Sequence, residues 1–88
     1  MEKDMNWSIS LEHDQYENNL ELVVNDSIDA VKDTKVGYYV NIVTPEGLGH
    51  PEEYLTEALS FIFGDTIIMK FIDQCGCGGF VLRVWKNQ

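Results

Sequence analysis

The sequence predicts an α/β fold, a two-layer α/β sandwich of element order β-α-β-α-β-β, with a four-stranded mixed sheet and two helices on one face. Three observations predict it: a period-2 alternation near the N-terminus, two amphipathic stretches at helical spacing, and two β-rich runs joined by a Gly-rich segment near the C-terminus. A chain of 88 residues, 44% hydrophobic, can bury one modest core, so residues 1–88 are expected to form a single domain, with residues 1–6 a flexible N-terminus.

Taken in order, Trp7-Ser8-Ile9-Ser10-Leu11 alternates apolar and small polar residues, which suits a strand with Trp7, Ile9 and Leu11 on the core side. Leu20, Val23, Val24 and Val31 then recur at helical spacing, with Glu21, Asp26 and Asp29 on the opposite side and Asn18 or Asn19 as N-cap. Gly37 is placed to stop this helix. Tyr38 to Val43 is β-branched and aromatic on nearly both faces, as in a central strand that is doubly covered or faces a partner. After the loop from Thr44 to His50, Pro51 suits a first helical position, and Tyr54, Leu55, Ala58, Leu59 and Ile62 form one apolar stripe ended by Gly64. Thr66 to Ile72 and Phe80 to Trp85 complete the sheet as a hairpin.

Each β-α-β step is expected to be a right-handed crossover between parallel strands, which puts both helices on one face and leaves the other uncovered. Strand orders 1-2-4-3 and 1-2-3-4 both satisfy the parallel steps. The uncovered face, with Ile68, Lys70 and Ile72 or their neighbours outward, could dock a partner or form a homodimer.

Charge narrows the class of partner. The net charge is −9, which disfavours nucleic acid and anionic membrane surfaces. Residues 1–66 hold fourteen acidic and three basic residues, a net of −11, whereas residues 67–88 hold Lys70, Arg83 and Lys86 against Asp73, a net of +2. No apolar run is long enough for a signal peptide or a membrane span, so a cytoplasmic protein is expected. In such a reducing compartment a close cysteine pair is more often a metal or redox site than a structural staple.

That pair lies in Cys75-Gly76-Cys77-Gly78-Gly79. Parallel strands bring three loops to one edge of the sheet: the loop with His13 and Asp14, the loop from Thr44 to His50, and the Cys75 to Gly79 loop. Cys75 and Cys77 with His50 and His13 offer thiolate and imidazole donors suited to a Zn or Cu ion. The Cys-x-Cys spacing departs from the usual Cys-x2-4-Cys of structural zinc sites, and there is no second pair. Alternatively the two thiols cycle through a strained, labile disulfide. Gly76, Gly78 and Gly79 remove three Cβ atoms and let another molecule approach the backbone closely. No Ser-His-Asp, paired-carboxylate or phosphate-loop pattern is present, which argues against an independent enzyme.

The run Gln74-Cys75-Gly76-Cys77-Gly78-Gly79, followed by a β-rich end with Arg83-Val84, resembles the CGCGG family of small proteins. The similarity extends to Asp29-Ala30-Val31, Val40-Asn41-Ile42-Val43-Thr44, Gly49-His50-Pro51-Glu52 and Glu57-Ala58-Leu59, and covers most of the chain. Members of that family are described as ribosomally made precursors (RiPPs) modified by a partner radical SAM enzyme. The resemblance implies a radical SAM maturase as partner, a chain that is substrate and not enzyme, and Cys75 and Cys77 as modified residues, with Gly76, Gly78 and Gly79 as backbone or Cα partners of a thioether. No cofactor of the chain's own is expected beyond the Zn or Cu ion of the metal reading. The expected protein is thus a folded substrate with one modified loop, and a metal-binding or thiol-redox carrier using Cys75, Cys77 and His50 is the alternative.

Overall fold

A computed structural model describes residues 4–11, 16, 19–74 and 79–87. The elements are β1 (Trp7–Ser10), α1 (Leu20–Asp33), β2 (Tyr39–Thr44), α2 (Leu55–Phe63), β3 (Ile67–Gln74) and β4 (Phe80–Lys86). They form an α/β fold whose four-stranded sheet has the order β1-β2-β4-β3. β1 is parallel to β2, and β4 runs antiparallel to both β2 and β3. Of the two orders compatible with parallel crossovers, the chain takes the one in which the last strand inserts between β2 and β3.

One face of the sheet is buried. Val40 and Ile42 of β2 and Leu82 and Val84 of β4 are at most 1% exposed and share a core with Val23, Ala30 and Val31 of α1 and Leu55 and Leu59 of α2. Both helices therefore cover the same face, as right-handed crossovers require. Trp7 and Ile9 pack against this core, while Ser8 and Ser10, which alternate with them, are exposed. Leu11 is fully buried just past the strand end.

α1 starts where Asn19 Oδ1 accepts from the Leu22 N–H at 3.1 Å, one of the helix-start donors that would otherwise lack a partner. Asn19→Ala is expected to cost about 1 kcal/mol, read from urea unfolding, and Asn19→Ser to restore most of it. The helix ends differently from expectation. Thr34 turns extended, with its N–H bonded to the Val31 carbonyl, so the stop comes before Gly37; its hydroxyl donates to the Ala30 carbonyl at 2.9 Å. Gly37, at φ +97°, instead makes the tight turn into β2, in which the Tyr38 N–H donates to the Lys35 carbonyl at 3.1 Å. Trp7 Nε1 donates to Thr34 Oγ1 at 2.9 Å and ties β1 to this helix end.

The second helical stretch is also divided. Pro51–Glu53 is a single 3-10 turn, and Tyr54, at φ −135° and ψ −39°, breaks it from α2. The buried stripe is Leu55, Leu59 and the partly buried Phe63, at i, i+4 and i+8, whereas Ile62 is 48% exposed. Gly64, at φ +57°, closes the helix as expected, its N–H bonding to the Ser60 carbonyl.

β2 is central but not doubly covered among the described residues: Val40, Ile42 and Thr44 are buried, and Tyr39, Asn41 and Val43 on the other face are half-buried. No helix among the described residues is long and apolar enough to cross a membrane.

Candidate functional site

The strand directions put the C-terminal ends of β1, β2 and β3, at Ser10, Thr44 and Gln74, on one edge of the sheet. β3 and β4 are antiparallel neighbours whose final described pair is Gln74 and Phe80. The five residues between them must therefore join two strand ends about 5 Å apart. Gly79 is buried. Cys75, Gly76, Cys77 and Gly78 lie outside the described residues, as do His13 and Asp14.

Just before the join, β3 carries an irregularity: Phe71 pairs with Leu82 and Asp73 with Val81, so Ile72 is an extra residue on that strand. Such a bulge bends and twists its strand and is common beside sites where a loop must be aimed.

His50 reaches the base of this hairpin. Its ring centre lies 4.2 Å from that of Phe71 and 5.1 Å from that of Phe80, and the two phenyl rings are 6.0 Å apart. Phe80 directly follows Gly79, so the imidazole stacks one residue from the Cys-Gly run. The expectation that the His50 loop and the Cys75 to Gly79 loop share an edge is met at the root of the hairpin. Phe71 and Phe80 were not singled out from sequence. The available signal was an aromatic residue immediately after the glycines, with another a few residues before the cysteines.

His50 also acts on its own backbone. Its Nδ1 accepts from the Glu52 N–H at 3.2 Å and so caps the 3-10 turn. An Nδ1 lone pair used in this way places the neutral ring's proton on Nε2. Ligation of a metal through Nε2 would require moving that proton and giving up the cap. Glu52 Oε1 stands 3.8 Å from Nδ1. Among the described residues no three His, Cys, Asp or Glu side chains are grouped closely enough to hold a metal ion.

A second unforeseen group lies under the same edge. The Thr44 hydroxyl donates to the Phe80 carbonyl at 3.4 Å, and the Tyr54 hydroxyl is enclosed beside it. Burial pushes the Tyr54 phenol above its ordinary 10.0, partly offset by the Thr44 hydroxyl, but no well-formed bond satisfies it among the described residues. An enclosed hydroxyl without a partner costs stability. Tyr54→Phe is expected to leave stability unchanged or raise it by up to about 1 kcal/mol; a loss larger than that would show that the phenol has a partner. Because the folded value is raised, this group's contribution is complete below pH 10.0 and lost as pH rises through the folded value. Tyr54→Phe should accordingly flatten the alkaline fall in the urea midpoint.

No curated protein and no solved structure matches this chain. Residues 1–87 match the family described as "Putative radical SAM target protein", and the chain belongs to that family.

Proposed function

We propose that the chain, as one domain over residues 1–88, is a folded cytoplasmic substrate of a radical SAM enzyme, and that the enzyme acts on Cys75-Gly76-Cys77-Gly78-Gly79, the CGCGG signature of the small-protein family it resembles. The observation that carries this reading is the family match, which spans nearly the whole chain. The β3–β4 register supports the choice of segment, since it presents five residues between two anchored strand ends at the edge where ligands of open sheets gather.

The residues suit a thioether. A glycine Cα is unhindered, and a radical there is stabilised by the two flanking amides. One-electron reduction of S-adenosylmethionine yields methionine and a 5′-deoxyadenosyl radical, which takes a hydrogen atom from a glycine Cα of the loop. A cysteine sulfur then bonds to that carbon as its thiol proton leaves, and the surplus electron passes to the enzyme's iron–sulfur cluster. The product is lighter by two hydrogens per linkage and has one fewer free thiol.

Intact mass and thiol alkylation, after co-expression with and without the radical SAM enzyme encoded nearest to this chain's gene, test the reading. A loss of two hydrogens per linkage, mapped to residues 75–79, is the expected result. An unchanged mass with two freely alkylated cysteines would sink it.

A further inference from the structure

The sheet face opposite the helices carries an ordered patch. Arg83 of β4 lies over the Tyr39 ring, its guanidinium carbon 4.3 Å from the ring centre and 5.7 Å from that of Trp85. Its Nε donates to Asn41 Oδ1 at 2.8 Å, and Asn41 Nδ2 donates to Ser8 Oγ at 3.3 Å. Tyr39 and Trp85 meet edge to face at 6.0 Å. The guanidinium is thus held in place while its two terminal amino groups bond to no described residue. Lys70 pairs with Arg83 across β3 and β4, and Ile68 beside it is 55% exposed. Clustered Tyr, Trp and Arg in a fixed arrangement are the residues that most often dominate binding energy at interfaces.

We propose that this face is the docking platform by which the modifying enzyme holds its substrate, through an apolar surface carrying a carboxylate that meets Arg83 and Lys70. This rests on the radical SAM substrate reading and adds the surface that confers recognition. Charge selects the partner. Arg83 and Lys70 are the cations of the patch, and the one acidic residue of β3 and β4, Asp73, pairs with Val81 toward the hairpin end of the same face, in a chain of net charge −9. A second copy stacked on this face would add long-range repulsion between two acidic molecules. Area points the same way. Four strands at about 4.8 Å spacing and six residues at about 3.3 Å each give a footprint of roughly 400 Å², about half the 800 Å² per partner of a stable complex. An enzyme that also encloses the loop gains the remainder. Arg83 and Phe80 are three residues apart on one strand, so a partner centred on Arg83 has the root of the loop within about 10 Å.

The test uses the full chain and the radical SAM enzyme encoded nearest to its gene. Modification is followed by mass, and binding is measured separately without S-adenosylmethionine. Lys70→Glu and Ile68→Asp alter exposed side chains and should keep the fold, which a thermal melt checks; Arg83→Glu is measured beside them. Each is expected to raise KM about tenfold or more with kcat retained, while Glu57→Lys, exposed on α2, changes neither. A Cys75→Ser/Cys77→Ser double variant should bind as the parent does. Unchanged KM and binding in all three face variants would overturn the platform while leaving the loop reading intact. Binding that depends on the face without any mass change in the parent would overturn the loop reading and uphold the platform. Dimers that Lys70→Glu dissociates in sedimentation would overturn the platform by assigning the face to a second copy.

Discussion

Serine at both Cys75 and Cys77 is expected to abolish the mass loss produced by the radical SAM enzyme while leaving the fold in place. The substitution exchanges one atom on each side chain. A serine hydroxyl stays protonated where a thiol readily ionises, and it supplies no sulfur to capture a carbon-centred radical. Serine is close to cysteine in size, and so small an exchange is expected to stay within the roughly 0.5 kcal/mol of an ordinary surface substitution, equivalent to about 2–4 °C in a domain of this size. Loss of modification with a melting temperature inside that range would isolate chemistry from folding. The single variants add the stoichiometry. If each cysteine forms its own thioether, Cys75→Ser and Cys77→Ser each retain half of the parent's mass loss; if only one sulfur reacts, one variant is inert and the other behaves as the parent does. Retention of the full mass loss in the double variant would remove the cysteines from the reaction.

Those residues stand out in the sequence because their signal is composition, and composition needs no knowledge of packing. The helices and strands were legible for a related reason. Trp7, Ile9 and Leu11, or Leu55 and Leu59, declare a period within a few residues, and burial of one face follows from that period. What sequence left open depends on pairing between distant segments. Nothing local decides whether Phe80–Lys86 lies beside β2 or at the edge, and only the pairing of Ile42 with Leu82 does so. The same long-range register creates the Arg83 patch, since Tyr39 and Asn41 lie more than forty residues from Arg83 in the chain but beside it in the sheet. Gly37 and Tyr54 illustrate a different difficulty. A glycine after a helical run serves equally as a helix stop or as a turn, and the extended backbone at Thr34, not the glycine, ends α1. At Tyr54 the apolar stripe continues through a break in the backbone, so hydropathy alone reads two elements as one. For His50, both its cap on Glu52 and its place beside the hairpin were within reach, the first from Pro51 at a helix start and the second from the shared edge of parallel strands. Its stacking on Phe71 and Phe80 was not, because it depends on the antiparallel partner of β3.

Leu82→Ala is expected to cost about 2–5 kcal/mol and, with it, modification of the loop. Leu82 is fully buried on β4, between its partners Ile42 on β2 and Phe71 on β3, so truncation leaves a cavity in the middle of the sheet where neighbouring strands can collapse least. The loss is a large fraction of the stability of a small domain, about 5–15 kcal/mol, and should appear as a large drop in the urea midpoint. Leu82→Met, of similar volume, should cost less than about 1.5 kcal/mol and serves as control. The consequence for function separates two kinds of substrate. If the enzyme recognises the folded face and a loop held between Gln74 and Phe80, modification should fall as the folded population falls, and cooling the Leu82→Ala variant below its midpoint should restore it. If the enzyme instead reads an extended segment, as for a flexible precursor peptide, unfolding exposes that segment and the rate should hold or rise. A Leu82→Ala protein that has lost its cooperative transition yet is modified at the parent rate would therefore rule out recognition of the folded state, even with Cys75 and Cys77 fully confirmed as the modified residues.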